Sequence, residues 1–452
     1  MHLDEILASV RKTNTNKVKV AVTDIDGVLR GKYIHVDKFT SALQDGFGFC
    51  NVIFGWDCQD ETYDNGIYTG WHSGYPDAHA TIDPSTYRSI PWDAQVPFFL
   101  ADFQQADGKP LPVCPRQLLK AVIAKADAMG YEPMVGMEFE FFNFLETPQS
   151  LADKQFTKLE SLTPGMFGYS LLRSAQNQEY FTAIMDELNE FAVPVEGLHT
   201  ETGPGVFEAG ILYAAALEAA DRAVLFKASV KEIAARYGII PTFMARWNQK
   251  LPGSSGHIHL SLRQKESQQN AFYDATKENA MSSIFRNFLA GQMHCLPEVL
   301  PLYAPTVNSY KRLVEGYWAP TKVTWGIDNR TVAYRVIPGS EKSTRVEIRV
   351  AGADVNPYLA VAASIASGLY GIEKNMQLQE KAVVGNGYAV ENAVRLSSNL
   401  LEATEMMRQS SLARELLGSE FIDHFAASRN WEWRESQKAV TSWELQRYFE
   451  II

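Results

Sequence analysis

The clearest signal in this chain is the alternation of apolar and polar side chains. In PMVGMEFEFFNF, residues 133–144, Met137, Phe139 and Phe141 fall on one face of a strand and Glu138 and Glu140 on the other. Two further stretches share that period. In GSSGHIHLSL (253–262) His257 and His259 share a face beyond a Gly/Ser-rich bend. In STRVEIRV (343–350) Arg345, Glu347 and Arg349 stand opposite Val346, Ile348 and Val350. A helical period governs PRQLLKAVIAKADAMG, where Leu118, Val122, Ala126 and Met129 form one stripe and Gly130 marks the stop. A second helix is predicted through LYAAALEAADRAVLFKASVKEIAARYG to Gly238, and others over residues 355–373 and 392–416. The first ~105 residues carry short β-like runs such as KVKVAV, and the turn-rich DGKPLPVCP follows at 107–115. This texture predicts domains at 1–106 and 107–452.

Composition narrows the classes. With 452 residues and 46% hydrophobic content the chain can bury a large core. A net charge of −11 leaves no basic excess for nucleic-acid backbones. None of the four cysteines, Cys50, Cys58, Cys114 and Cys295, lies in a C-x-x-C pair, so neither a zinc knuckle nor a disulfide framework is expected. MHLDEILASVRK has no apolar signal core, and YLAVAASIASGLYGI (358–372) suits a buried helix better than a membrane span. A cytoplasmic protein with no membrane contact is the expectation.

The polar faces carry the candidate chemistry. Glu138 and Glu140 lie roughly 6–7 Å apart at Cβ, given the rise per strand residue. Aromatic neighbours imply partial burial, where two like charges are costly unless cations neutralise them or one stays protonated. VEGLHTETGPGVFEAGI (195–211) adds His199, Glu201 and Glu208 around a Gly-Pro-Gly turn. Five glutamates with one or two histidines suit hard cations such as Mg²⁺ or Mn²⁺, and more than one of them. That equipment clamps ATP phosphates during phosphoryl transfer, and Arg312, Arg330, Arg335, Arg345 and Arg349 can balance the transferring group. Blander readings stand beside these: a solvated edge strand for the glutamates, a structural ion-pair ladder for Arg345-Glu347-Arg349, and a core or surface histidine pair.

The motifs GYPDAHATIDP, VGMEFEFF, GSSGHIHLSL, NSYKRLVEGYWAP, DNRTVAYRV and STRVEIRVAGADVNPYLA, in this order, resemble those of the glutamine synthetase family over nearly the whole chain. The resemblance implies an α+β fold, with a small β-grasp-like N-terminal domain and a large catalytic domain of antiparallel strands and helices. It also implies a double-ring homododecamer with active sites between subunits. The implied chemistry is ATP-dependent phosphorylation of the γ-carboxylate of glutamate, followed by displacement of phosphate by an amine.

Residue by residue, the resemblance makes Glu140, Glu201 and Glu208 the ligands of one metal and Glu138, His257 and Glu347 those of a second. Arg312, Arg349 and the backbone at Gly253 are implied to bind glutamate. Arg330 is implied to stabilise the transferring phosphoryl group and Arg335 to hold ATP phosphates. His199, Tyr213, Ser261 and Arg345 match nucleotide-contacting positions. Asp57 is the best match for an aspartate that serves ammonium in a neighbouring subunit.

One departure bears on specificity. Ammonia-using members carry a glutamate two residues before the Pro of KRLVEGYWAP; here the position is Trp318. An indole covers the apolar part of an alkyl or aryl amine and attracts its ammonium, whereas NH₄⁺ needs anionic ligands. The expectation is a γ-glutamyl-amine ligase. The alternatives are ammonia use with Glu315 or Asp57 as the acid while Trp318 packs the flap, and a non-catalytic structural relative. VKVAVTDIDGVLRG (18–31) also looks like a phosphatase nucleophile motif built on Asp24 and Asp26, but the Ser/Thr, Lys and acidic pair it needs are not recognisable.

Overall fold

The computed structural model describes residues 3–13 and 15–452. Its N-terminal part is built on β1 (Lys17–Thr23), β2 (Leu29–His35), β3 (Phe47–Cys50), β4 (Asp77–Ile82), β5 (Arg88–Ile90) and β6 (Val96–Gln104). These pair in the order β2-β1-β6-β4-β3, with β5 also on β6. β1 and β6 run parallel at the centre and their other neighbours antiparallel. The helix Val36–Asp45 buries Phe39, Ala42 and Leu43, and Phe39 packs on Phe99 of β6 with ring centroids 4.8 Å apart.

A second sheet carries the polar faces. Its strands are β7 (Tyr131–Phe144), β8 (Val195–Thr200), β9 (Val206–Ile211), β10 (Ala214–Ala215), β11 (Ile240–Thr242), β12 (Ile258–Gln264), β13 (Trp325–Ile327), β14 (Tyr334–Ile337) and β15 (Arg345–Ile348). The order is β13-β14-β15-β12-β7-β9-β8, with β10 and β11 also on β7. All neighbours are antiparallel except β13 and β14. Alternation does what the sequence predicts: Met137, Phe139 and Phe141 are buried, and Phe139 and Phe141 pack on Phe226 and Phe243. The opposite face of β7 is left to the glutamates.

The predicted helices form at Pro115–Ala128, Ala216–Ala235 and Pro357–Glu373, the last almost wholly buried. Among the described residues no helix is long and apolar enough to cross a membrane. The helix expected over 392–416 is instead two. Residues 392–399 are not helical, and Arg395 bridges to Lys322. Asn399 caps Leu400–Gln409 by accepting from Glu402 N, and Ser410 then caps Ser411–Leu417 by accepting from Ala413 N. Two side chains that satisfy helix N–H groups start new helices where periodicity suggested one.

The DIDG motif is a docking turn. Asp24 is buried, accepting from Asp26 N (3.0 Å), Val28 N (2.9 Å) and Arg30 Nε (2.9 Å). Gly27, at φ +81°, passes so close to Asn356 that a Cβ would lie 2.9 Å from its Cα. Asn356 donates to the carbonyls of Asp24 and Ile25 while capping the helix Pro357–Glu373. A carboxylate engaged by three donors is poorly placed as a nucleophile.

Candidate active site

Strand register assembles the site. Across β7 and β9, Glu140 stands directly opposite Glu208, which in turn faces His199 on β8. On the other side His259 of β12 faces Glu347 of β15, which faces Arg335 of β14. The loop before β12 prolongs the ladder: Glu138 N donates to His257 O at 3.1 Å and Glu140 N to Ser255 O at 2.9 Å. Residues distant in sequence thus share one polar face because cross-strand partners lie side by side. A cleft of about 550 Å³ opens above them.

The acids fall into tight groups. His199, Glu201 and Glu208 offer ligand atoms within 4.8 Å of one another, as do Glu138, Glu208 and His257, and Glu138, His259 and Glu347. His257 Nδ1 lies 2.6 Å from Glu138 Oε1 and 3.3 Å from Glu347 Oε1. Its Nε2 is buried without a hydrogen-bond partner. Glu208 is pushed up to about 10 by burial and by Glu138, Glu140 and Glu201. An orphaned imidazole nitrogen beside crowded carboxylates is a donor set that fits divalent cations. Burial works against charge on Glu138 and Glu347, yet both carboxyls are held below their usual range, Glu138 by His259 and His257 and Glu347 by His257 and Arg349.

Most of the predicted site residues come together here. Glu138, Glu140, His199, Glu201, Glu208, Gly253, His257, Trp318, Arg330, Arg335, Glu347 and Arg349 all line the cleft. Glu140 lies outside the tight groups, its Oε2 accepting from Ser255 N at 2.6 Å, and His199 sits beside Glu201 and Glu208 in its stead. Arg349 and Arg335 both pair with Glu347, and Arg335 also with Asp328.

Other predicted residues surround the cleft without lining it. Arg312 is buried beneath it, donating to Val350 O (2.8 Å), Arg349 O (3.1 Å) and Ser255 Oγ (3.2 Å). Burial lowers its guanidinium to about 10. A Cβ at Gly253 would meet Ala245 O at 2.4 Å and Arg312 Cγ at 2.8 Å, so this wall requires glycine. Along β7, Ser261 lies opposite Met134, and the exposed Tyr213 packs against Gly136. Arg345 Nε donates to His259 Nδ1 at 3.2 Å; His259 Nε2 thereby keeps the proton it presents to Glu138 Oε2, 3.3 Å away.

The KRLVEGYWAP stretch forms the lip. The helix Ser309–Arg312 ends in a turn with Gly316 at φ +83° and Trp318 at φ +60°. Left-handed backbone costs a bulky residue on the order of 1 kcal/mol. The indole is 56% exposed on the cleft wall beside Tyr317, whose ring stacks over the Arg246 guanidinium at 4.4 Å. Glu315 does not line the cleft; its carboxylate is engaged by Thr321 (3.3 Å), Arg395 (3.5 Å) and Lys322 (3.7 Å). Asp57 also lies outside it, accepting from Trp431 Nε1 at 3.0 Å and from the backbone N–H groups of Gln59 and Glu61.

Sequence reasoning missed Tyr169, which stacks on His199 with centroids 4.5 Å apart, and Phe142 and Val206, which supply apolar wall. Tyr169 comes from an irregular segment with no periodic signal. Tyr317 was visible within the lip motif but had no assigned role.

Comparison with known proteins bears on this arrangement. Residues 112–448 match the family model described as glutamine synthetase, catalytic domain. The chain is 52% identical over 452 residues to Type-1 glutamine synthetase 2 of Dictyostelium discoideum, covering 99% of this chain and 86% of that protein. It is 38% identical to glutamate–isopropylamine ligase of a Pseudomonas species, covering 98% and 97%. A solved structure described as a GmaS/ADP complex superposes with a TM-score of 0.86 at 27% identity, covering 98% of this chain and 99% of that one.

Proposed function

This chain belongs to the glutamine synthetase family, ATP-dependent ligases that form C–N bonds, and we propose that it joins an organic amine to the γ-carboxylate of L-glutamate through a γ-glutamyl phosphate. A carboxylate is a poor electrophile and an acyl phosphate a good one, so ATP is spent on activation. Glu138, Glu201, Glu208, His199 and His257, with Glu140 and Glu347 beside them, would hold Mg²⁺ or Mn²⁺. Divalent cations bound there neutralise the phosphate charge. Arg330 and Arg335 face the same cleft, where a transferring phosphoryl group needs cationic donors. Gly253 and Arg349 both line the cleft, where the backbone of the one and the guanidinium of the other would meet glutamate. Buried Arg312 stiffens that wall from behind.

Trp318 carries the choice of nucleophile. Of the acids lining the cleft, Glu138, Glu201, Glu208 and Glu347 belong to the tight cation-binding groups, and Glu140 Oε2 is held by Ser255 N. Glu315 is engaged elsewhere, so among the described residues the chain's own lip offers an ammonium ion no spare carboxylate, and only Asp57 of a neighbouring copy could supply one. The lip instead offers Trp318 and Tyr317, aromatic surface suited to an amine with apolar substituents. The similarity to an isopropylamine ligase supports this reading. The higher identity to a protein named as a glutamine synthetase supports the competing one, ammonia use. Phosphate release with ATP, Mg²⁺ and glutamate across alkyl, aryl and polyamines and ammonia decides between them. Ammonia as best substrate by kcat/KM would end the amine proposal.

A double-ring assembly with shared sites belongs to the same proposal. Asp57 lies away from the cleft of its own chain, as a residue serving a neighbour's would.

A further inference from the structure

Residues 383–396 form only the short turn Gly387–Ala389, yet they are laced to the stretch that joins the lip to Arg330. Beside Arg330, Asn329 Nδ2 donates to Gly385 O at 2.8 Å, and Thr331 Oγ1 accepts from Gly387 N at 2.7 Å. Beside the lip, buried Lys322 donates to Tyr388 O (2.7 Å) and Val390 O (2.9 Å). Val323 N donates to Val394 O (2.8 Å), and Leu396 N to Thr321 O (3.0 Å). The turn that carries Tyr388 is thus tied both to the neighbours of Arg330 and to the base of the lip.

Tyr388 does not line the cleft. Its side chain is half-buried, and its hydroxyl is buried with no hydrogen-bond partner. Burial raises the phenol above its usual range, opposed by the guanidiniums of Arg349 and Arg312 and by the backbone N–H of Trp318. The hydroxyl therefore lies between those arginines and the lip, with Trp318 N–H acting on it short of a hydrogen bond. Among the described residues no other acceptor serves Trp318 N–H. A buried hydroxyl left unpaired is costly, and so is the left-handed backbone of Trp318 at φ +60°. An idle acceptor and an idle donor face each other, and a small shift of the lip satisfies both.

We infer that Tyr388 is a positioning residue for the lip: its hydroxyl accepts from Trp318 N–H when the nucleophile is bound and so sets the indole against it. Lys322 and Thr331 hold the turn that makes this possible, so the placement of Trp318 is referred to Arg330, where phosphoryl transfer is proposed. The inference rests on the ligase reading above, whichever nucleophile proves the better one.

The test compares wild type with Tyr388→Phe, which keeps the ring and removes the acceptor. With ATP, Mg²⁺ and glutamate saturating, KM for the better nucleophile is expected to rise about three- to tenfold, the range of one lost hydrogen bond. KM for ATP, KM for glutamate and the melting temperature are expected to stay as in wild type. Hydrogen exchange of the lip, residues 313–321, is expected to be faster in the variant with ADP, Mg²⁺, glutamate and the nucleophile bound. Exchange reads the lip directly, so ammonia as the better nucleophile would end the organic-amine reading and leave this test decisive. An unchanged nucleophile KM in Tyr388→Phe, a parallel rise in all three KM values, or unaltered lip exchange overturns the proposal.

Discussion

Glu208 stands directly opposite Glu140 across the β7–β9 ladder, a half-buried pair of acids whose crowding with Glu138 and Glu201 disfavours charge on Glu208. The arrangement is unfavourable for the empty protein and favourable once a divalent cation is held. Glu208→Gln is therefore expected to raise thermal stability in chelator-treated buffer. The same change should weaken the stabilisation produced by Mn²⁺ or Mg²⁺ at least about tenfold in apparent affinity. Melting curves with increasing cation measure both, and an unchanged cation response would remove Glu208 from the metal site.

Trp318→Ala should lower kcat/KM for the best organic amine roughly tenfold, the effect of about 1–2 kcal/mol of lost apolar and cation–π contact. Trp318→Glu should lose the same preference and gain turnover with ammonia. Competition between ammonia and the amine reports the shift; an unaltered amine profile would show that the indole only packs the lip.

If sites are shared, two inactive variants rescue one another. Asp57→Asn keeps an acceptor for Trp431, and Arg330→Ala alters the cleft of the other subunit. Mixed assemblies formed by co-expression are expected to recover up to about a quarter of sites as wild-type pairs. Recovery absent from co-purified mixed oligomers would place Asp57 outside the neighbour's site.

His424 predicts an acid limit to stability. It is buried between Phe54 and Tyr68, and burial together with Arg429 lowers it from 6.5 to about 4. The folded chain therefore prefers neutral histidine. The contribution is complete above pH 6.5 and lost as pH falls towards 4, at most about 3 kcal/mol. Urea unfolding of wild type and His424→Leu between pH 7 and 5 should show a steeper acid loss in wild type; parallel curves would contradict it.

The period-two pattern of VGMEFEFF was enough to put its glutamates on one face and its phenylalanines in the core, because strand geometry is local. The same reasoning found His257, His259 and Glu347 and the three principal helices. It failed at 392–416, where caps at Asn399 and Ser410 override a continuous stripe. It was also silent on Tyr169, which reaches His199 from an irregular segment.

What the chain carried by itself was chemical type: acids and histidines at spacings that suit cations, arginines suited to phosphates and, through the family resemblance alone, an indole where ammonia-using members keep an acid. Tertiary structure decided which of them meet. Register set Glu140 against Glu208 and His259 against Glu347, and it drew His199 into the acid cluster. Burial turned Arg312 into a support beneath the wall, and separation left Asp57 outside its own cleft. Faces follow from local geometry, whereas cross-strand partners follow from how distant strands pair and how much water their packing excludes.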